Sequence, residues 1–300
     1  MSKMRSINPQ DLEIKDLHQF MVGAIAPRPI AFVSTIDENG VANIAPYSFF
    51  NAFSSNPPMM VFSSNRTVRG NTTKDTLHNI QANQEVVINV VTYDMVQQMT
   101  LASISYPAHI DEFAKAGFTP LAAETVAPFR IAESPVQFEC KVEQIISLGE
   151  HGGAGNLMFC KVQRFHIDEA VIDERNRIDP HKLDLVGRLG RAYYVRASGD
   201  ALFSIYQNPS DLALGFDQLP ERIRQSETLS GKEIAYMAGL MALPTEQEIE
   251  QLVQTDDNLA NLLELAPAGS KARFEMQERY ARTLLQQGEY ANALACLMIE

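Results

Sequence analysis

Residues 28–66 read RPIAFVSTIDENGVANIAPYSFFNAFSSNPPMMVFSSNR. An apolar run from Ile30 to Ile36 is interrupted by Asp37, Glu38, Asn39 and Gly40, and a second run follows from Val41 to Pro46. Two such runs around an Asn-Gly turn predict an antiparallel hairpin, because Asn and Gly accept the positive φ that a tight turn imposes. Asn43 to Asn56 reads as the polar-studded end of that hairpin, and Met59 to Ser63, after the Pro57-Pro58 pair, predicts a third strand.

Working outward, Glu85 to Val91 is nearly continuous in apolar residues, which predicts a strand covered on both faces. Between these strands, Lys74 to Asn83 places Leu77 and Ile80 three apart, the spacing of a short helix. A helical stretch is predicted from Tyr93 to about Ser105, and a second short helix near Asp111 to Ala116. Val136, Phe138, Cys140 and Val142 alternate with Gln137, Glu139, Lys141 and Glu143, a period of two that predicts one buried and one wet face. Met158, Cys160 and Val162 repeat the theme, and the glycines of Gly152 to Gly155 read as a flexible hairpin loop between the two strands. Many antiparallel strands with few helices predict a mainly β protein, a barrel or sandwich rather than a doubly wound sheet.

Beyond about Arg196 the strand signals vanish. Thr245 precedes Glu248 by three residues, a capping-box spacing, and Phe274 to Leu297 reads as two amphipathic helices joined at 286–289. That pair resembles one tetratricopeptide unit, although solenoids need about three repeats to bury their faces. The expected organisation is a β domain over 1–198 and an α-helical C-terminal extension over 199–300.

Of 300 residues, 37 are acidic and 25 basic, a net charge of -12. That charge disfavours polyphosphate backbones and anionic lipid surfaces, so no nucleic-acid or membrane partner is expected. Any phosphate must be held by locally placed cations. Three cysteines in apolar surroundings and no signal-like N-terminus point to a reducing, cytoplasmic setting. His151, His166 and His181 lie too far apart in sequence to suggest a metal centre.

Three segments collect polar side chains suited to a phosphate: Asn43, Ser48, Asn51, Ser54 and Ser55; then Ser63, Ser64, Asn65 and Arg66; then Lys74, Asp75 and Thr76 at a helix start. Hydroxyls and helix-start N–H groups supply directed donors, and Arg and Lys supply charge. Each segment alone is commonplace turn or capping chemistry; their order is what singles them out.

With KDTLHNI at 74–80, HIDEFAKAGFTP, AESPVQFECKVEQI and GRLGRAYYVR, these segments resemble the flavin reductase-like family of FMN-binding split barrels, over roughly residues 10–196. The resemblance implies a homodimer that binds FMN near the subunit interface. Ser48, Phe49, Phe50 and Asn51 would border the isoalloxazine, and Ser64, Arg66, Lys74 and Thr76 would hold the phosphate. Asp75 would orient its neighbours and Asn43 would reach the ribityl or pyrimidine side, while Arg28 is either beside this surface or a structural partner. The implied activity is hydride transfer from NADH or NADPH to flavin, with a partner oxygenase as one electron acceptor. No catalytic acid or base is required by that step, and no nucleophile-base spacing appears. An alternative is a non-catalytic FMN-binding electron carrier or sensor whose helical tail binds a partner. At Gly152 to Asn156 the chain departs from members that carry a His before the following strand, which leaves nicotinamide use open.

Overall fold

The structure, a computed structural model, describes residues 3–205 and 212–300. The chain divides into two compact units, residues 1–204 and 205–300.

The first unit begins with helix α1 (Ile14–Ala24) and continues through β1 (Ala31–Ile36), β2 (Ala42–Tyr47), β3 (Phe50–Ser55), β4 (Pro58–Asn65), α2 (Asp75–Asn83) and β5 (Glu85–Asn89). It goes on with α3 (Val96–Leu101), α4 (Glu112–Ala116), β6 (Pro120–Leu121), β7 (Arg130–Ile131), β8 (Val136–Ser147) and β9 (Gly155–Ile167). Helix α5 (Pro180–Leu183) and the hairpin β10 (Leu185–Arg188) and β11 (Tyr194–Ala197) complete it. Asp37 sets the first turn: its Oδ1 accepts from the N–H of Asn39 at 2.9 Å and of Val41 at 2.7 Å, and Gly40 adopts φ 83°.

Seven strands form one antiparallel sheet in the order β2-β1-β5-β8-β9-β4-β3. Laid flat, the outer strands β2 and β3 would stand about 29 Å apart, six spacings of about 4.8 Å. Yet only Ser48 and Phe49 join them, and three Cα steps reach at most about 11 Å. The sheet therefore has to roll up. The Ser63 N–H donates to the Phe49 carbonyl at 2.9 Å, and the Tyr47 and Phe62 rings meet with centroids 5.1 Å apart, so the two edges do come together.

Alternation along the strands fills the barrel and covers it. Ala31 and Val33 of β1 point inward with Phe62, Ile88, Cys140, Met158 and Cys160, whereas Phe32 points outward into a second layer with Ile44, Met99, Phe113 and Ile131. Helices α3 and α4 contribute to that outer layer, which is why β1 is covered on both faces.

Three expectations need correction. β3, most of its residues exposed, is a full strand of its own where the sequence reads only as the polar-studded end of the first hairpin; its signal is hidden because it pairs through one edge only, with β4. Helix α3 covers six residues, much less than 93–105. On β8, Gln137 and Glu139 are buried rather than wet. Gln137 donates to the Ile131 and Ser134 carbonyls, each at 2.8 Å, and Glu139 accepts from the N–H groups of Glu124 at 2.8 Å and Thr125 at 2.6 Å. The chain between α4 and β8 thus lies over the face expected to meet water.

The second unit holds α6 (Glu221–Arg224), α7 (Gly231–Ala238), α8 (Glu246–Thr255), α9 (Asp257–Glu264), α10 (Lys271–Gln286) and α11 (Tyr290–Met298). Reciprocal capping boxes, Ser230 with Glu233 and Thr245 with Glu248, start α7 and α8. Its core of Leu219, Ile223, Met237, Leu259, Leu284 and Leu294 belongs to this unit alone. Among the described residues, no helix is long and apolar enough to cross a membrane.

Candidate functional site

Where the barrel edges meet, the end of α1, the β2–β3 junction, the end of β4, the start of α2 and the β10–β11 turn enclose a pocket of about 360 Å³. Arg28 organises it. Its backbone pairs with Arg188 in both directions at 2.9 Å, and its guanidinium donates to the carbonyls of Val22 at 2.7 Å and Ile25 at 2.6 Å, at the end of α1. A cation there answers the unpaired carbonyls of a helix C-terminus. It donates further to Leu189 O at 3.1 Å and Ser48 Oγ at 3.3 Å, fixing the two-residue link that closes the barrel. Burial, and then the Arg188 charge, lower its pKa.

Lys74 stands immediately before α2, with its Nζ 5.3 Å from the centre of the Tyr47 ring. Burial lowers its pKa, and Glu112 opposes that shift. Four cations, Arg28, Lys74, Arg188 and Arg191, line the pocket, and among the described residues no Asp or Glu does so. In a chain of charge -12, such a carboxylate-free group is a local anion trap. Beside it, Tyr47 and Ser64 are buried; burial pushes the Tyr47 phenol up to about 12, and hydrogen bonding with the Thr76 and Ser64 hydroxyls opposes the rise.

The residues singled out from the sequence divide into groups. Ser48, Phe49 and Lys74 line the pocket, with Ser63 and Asn65. Ser64 is buried behind it. Asn43 and Thr76 hydrogen-bond to each other at 3.1 Å, beneath the start of α2. Asp75 opens α2 and faces His78 at 3.9 Å. Phe50 packs on the barrel core, and Asn51 is exposed, its Oδ1 accepting from the Ala52 N–H at 2.8 Å. Arg66 turns into its own loop, donating to Asn71 Oδ1 at 2.7 Å and Asn71 O at 2.8 Å.

Sequence reasoning assigned no site role to Arg188, Arg191 or His18. The GRLGR string was visible, but nothing local says that a turn some 110 residues after Lys74 faces it. Glu112 was missed as well: it is buried, and its Oε2 accepts from the Ile44 N–H at 2.9 Å. A second hollow of about 440 Å³ near Arg130 and His166 is less suited to a ligand. Its main polar groups are already engaged, Arg130 with Gln137 at 3.0 Å and His166 with Glu139 at 2.6 Å.

Residues 23–182 match the flavin reductase like domain, more than half of the chain. The chain belongs to the flavin reductase-like family. An uncharacterised protein of Aquifex aeolicus is 35% identical over 190 residues, 63% of this chain and 94% of its own. Among solved structures, nitrilotriacetate monooxygenase component B from Bacillus cereus is 31% identical with a TM-score of 0.63, over 69% of this chain and 100% of that one. The 2-nitrobenzoate 2-nitroreductase of Pseudomonas fluorescens is 28% identical with a TM-score of 0.61, over 69% and 98% of the respective chains. A split-barrel protein from Shewanella frigidimarina, 22% identical with a TM-score of 0.57, shares the fold. This member of the flavin reductase-like family is thus a split barrel followed by an α-helical C-terminal segment.

Proposed function

We propose that this protein binds FMN in the pocket between Lys74 and the β10–β11 turn and acts as a flavin reductase. The observation that carries the reading is the group of four cations with no carboxylate among them in the described residues, beside the buried Ser64 hydroxyl. A phosphate monoester fits that donor set, since it needs positive charge and directed N–H and O–H donors together. Bound there, FMN would supply hydride acceptance from NADH or NADPH and delivery to a second acceptor.

This chain's residues bind and orient. Lys74 and the N–H groups at the start of α2 hold the phosphate, and Ser64 donates from behind. Ser48, held by Arg28, presents the β2–β3 link to the ring, with Phe49 as an apolar wall. Asn43 fixes Thr76 and so steadies the start of α2. Arg66 is a lesser contributor because Asn71 occupies its fork.

Membership of the family, and the likeness to a protein named as a monooxygenase component, support delivery of electrons to a partner oxygenase. Phe20 and Met21 of α1, Ile25 just after it and Phe53 of β3 are exposed apolar side chains, which supports a homodimer. The low cysteine reactivity expected of three buried thiols is compatible with a cytoplasmic setting.

Titration of flavin-free protein with FMN, followed by flavin fluorescence, tests the binding. Lys74→Ala should weaken it by about 1.5–3 kcal/mol, the worth of a charge-assisted bond, and Arg66→Ala by less. Equal affinity of Lys74→Ala and wild type would remove Lys74 from the site. For turnover, NADH or NADPH without oxygen should bleach the visible absorbance of the FMN-loaded protein. Bleaching by dithionite but by neither nucleotide would replace the reductase with an electron carrier.

A further inference from the structure

We propose that Glu112 is a positioning residue for the phosphate: through a hydrogen-bonded chain of Asn43, Thr76, Tyr47 and Ser64 it aims the Ser64 hydroxyl at the pocket when it is a neutral acid and turns it away when it is a carboxylate. The proposal rests on the FMN reading and goes beyond it by naming a residue, outside the pocket, that regulates the site.

The chain of groups begins at α4. Glu112 is buried, and its Oε2 accepts from the Ile44 N–H at 2.9 Å. The Asn43 amide lies between this carboxyl and the start of α2. One end of the amide is 3.3 Å from Glu112 Oε2, and the other is 3.1 Å from Thr76 Oγ1 and 3.3 Å from Thr35 Oγ1. Beyond Thr76, the Tyr47 phenol shares hydrogen bonding with the Thr76 and Ser64 hydroxyls. Thr76, Tyr47 and Ser64 are all buried, so each hydroxyl has to find its partners within the chain.

Such a chain has a direction, because an amide has one donor end and one acceptor end, and a hydroxyl donates once. A carboxylate only accepts. It turns the Asn43 NH2 toward itself, and the Asn43 oxygen then takes the Thr76 proton. Thr76 is left to accept from Tyr47, and Tyr47 from Ser64, so Ser64 faces the pocket with lone pairs. A neutral acid reverses every step. Glu112 donates to the Asn43 oxygen, the Asn43 NH2 to Thr76, Thr76 to Tyr47 and Tyr47 to Ser64, whose own proton is then free for an anion. A phosphate dianion only accepts, so the second direction alone suits it.

Charge acts in the same sense. Glu112 is faced by Lys74 and Asp75 at the start of α2, by Tyr47 of β2 and by Asp111 beside its own helix. Helix α3, which also packs on α4, carries no titratable side chain, and Lys115 turns to the Tyr106 ring at 5.8 Å. Burial pushes the Glu112 carboxyl up to about 7, and Lys74 is a cation that opposes the rise. A phosphate that engages Lys74 offsets that opposition, so Glu112 takes up a proton as the phosphate enters. Affinity for the phosphate is therefore full below about pH 7 and falls as pH rises through and above it.

The test titrates FMN into flavin-free wild type, E112Q and Y47F by calorimetry at pH 6.5 and pH 8, in two buffers of different ionisation enthalpy. Wild type should bind FMN at least threefold more weakly at pH 8 and take up protons on binding. E112Q, which cannot titrate, should change less than twofold and take up none. Y47F keeps the aromatic ring and Glu112 but breaks the chain, and it decides the question even where E112Q fails to fold. Its FMN affinity should change less than twofold while its stability keeps the wild-type slope with pH. Riboflavin, which lacks the phosphate, should bind wild type equally at both pH values. Equal FMN affinity of wild type at the two pH values overturns the proposal. So does a Y47F profile as steep as that of wild type, which would leave only a charge effect, and so does an equally steep profile for riboflavin. If wild type takes up no FMN, the FMN reading fails, and inorganic phosphate titrated into wild type and Y47F at the same two pH values decides the role of the chain.

Discussion

Glu112 shows how much one side chain can hold at this site. It lies beneath the start of α2, accepting from Ile44 N; with the Asn43 amide turned to donate to Glu112 Oε2 at 3.3 Å, the Asn43 oxygen accepts from Thr76 Oγ1 at 3.1 Å. Burial pushes its carboxyl up to about 7; Asp75 and Asp111 add to the rise, and the Ile44 N–H and Lys74 oppose it. Because the folded value exceeds the ordinary 4.5, folding takes up a proton between pH 4.5 and about 7. The contribution of Glu112 to stability is therefore greatest below pH 4.5 and declines as pH rises to about 7, by up to roughly 1.4 kcal/mol per unit. Glu112→Gln should remove that slope, as measured by urea midpoints at pH 5 and pH 8. An equal pH dependence in both proteins would assign the titration to another group. The sequence contains Glu112 within an ordinary helix start, and its burial becomes evident only once α4 is placed on β2.

At the level of elements, the β8–β9 hairpin and the segment after β4 are locked together. Arg66 N donates to Ala154 O at 2.8 Å, and Gly153 N donates to Arg66 O at 3.0 Å. A Cβ on Gly152 would come within 2.9 Å of the Thr67 and Val68 carbonyl oxygens, backbone atoms that cannot swing aside. Gly152→Ala should therefore destabilise the protein by about 1–3 kcal/mol, lowering the thermal midpoint by several degrees. Gly149→Ala, whose Cβ would meet only the Ala154 Cβ at 3.4 Å, should leave the midpoint nearly unchanged. Thermal scans of the two variants decide this, and equal midpoints would refute the close packing. The glycine run was legible as a hairpin loop, because turn chemistry is local. Its tight seating was not, since the opposing carbonyls lie more than 80 residues away.

For the whole molecule, the two units have separate cores, and 190 aligned residues of this chain account for 94% of the Aquifex relative. A unit that buries its own apolar surface can fold alone. A chain ending at Ser204 is therefore expected to fold alone and, on the FMN reading, to bind FMN within about threefold of the full-length affinity, a difference of roughly 0.7 kcal/mol. Sedimentation and flavin titration would check this, and an aggregated or FMN-blind product would make the helical unit part of the barrel's fold. The division near residue 200 was visible as a change of period, from two to that of helices. The Thr245 and Ser230 caps are local signals of the same kind, each set by residues three apart.

The sequence by itself determined what neighbours in the chain can decide: the Asp37 to Gly40 turn, the strand periods of β1, β5 and β9, the helix starts, and the residue types that resemble a flavin reductase-like barrel. Tertiary structure decided what depends on distant partners. It closed the sheet through Ser48 and Phe49, made β3 a strand by pairing it with β4, and buried Gln137 and Glu139 under the preceding loop. It also brought Arg188 and Arg191 to Lys74. The physical reason is that propensity, turn geometry and capping act over a few residues, whereas burial and electrostatic environment are properties of space, which the chain defines only once it has closed on itself.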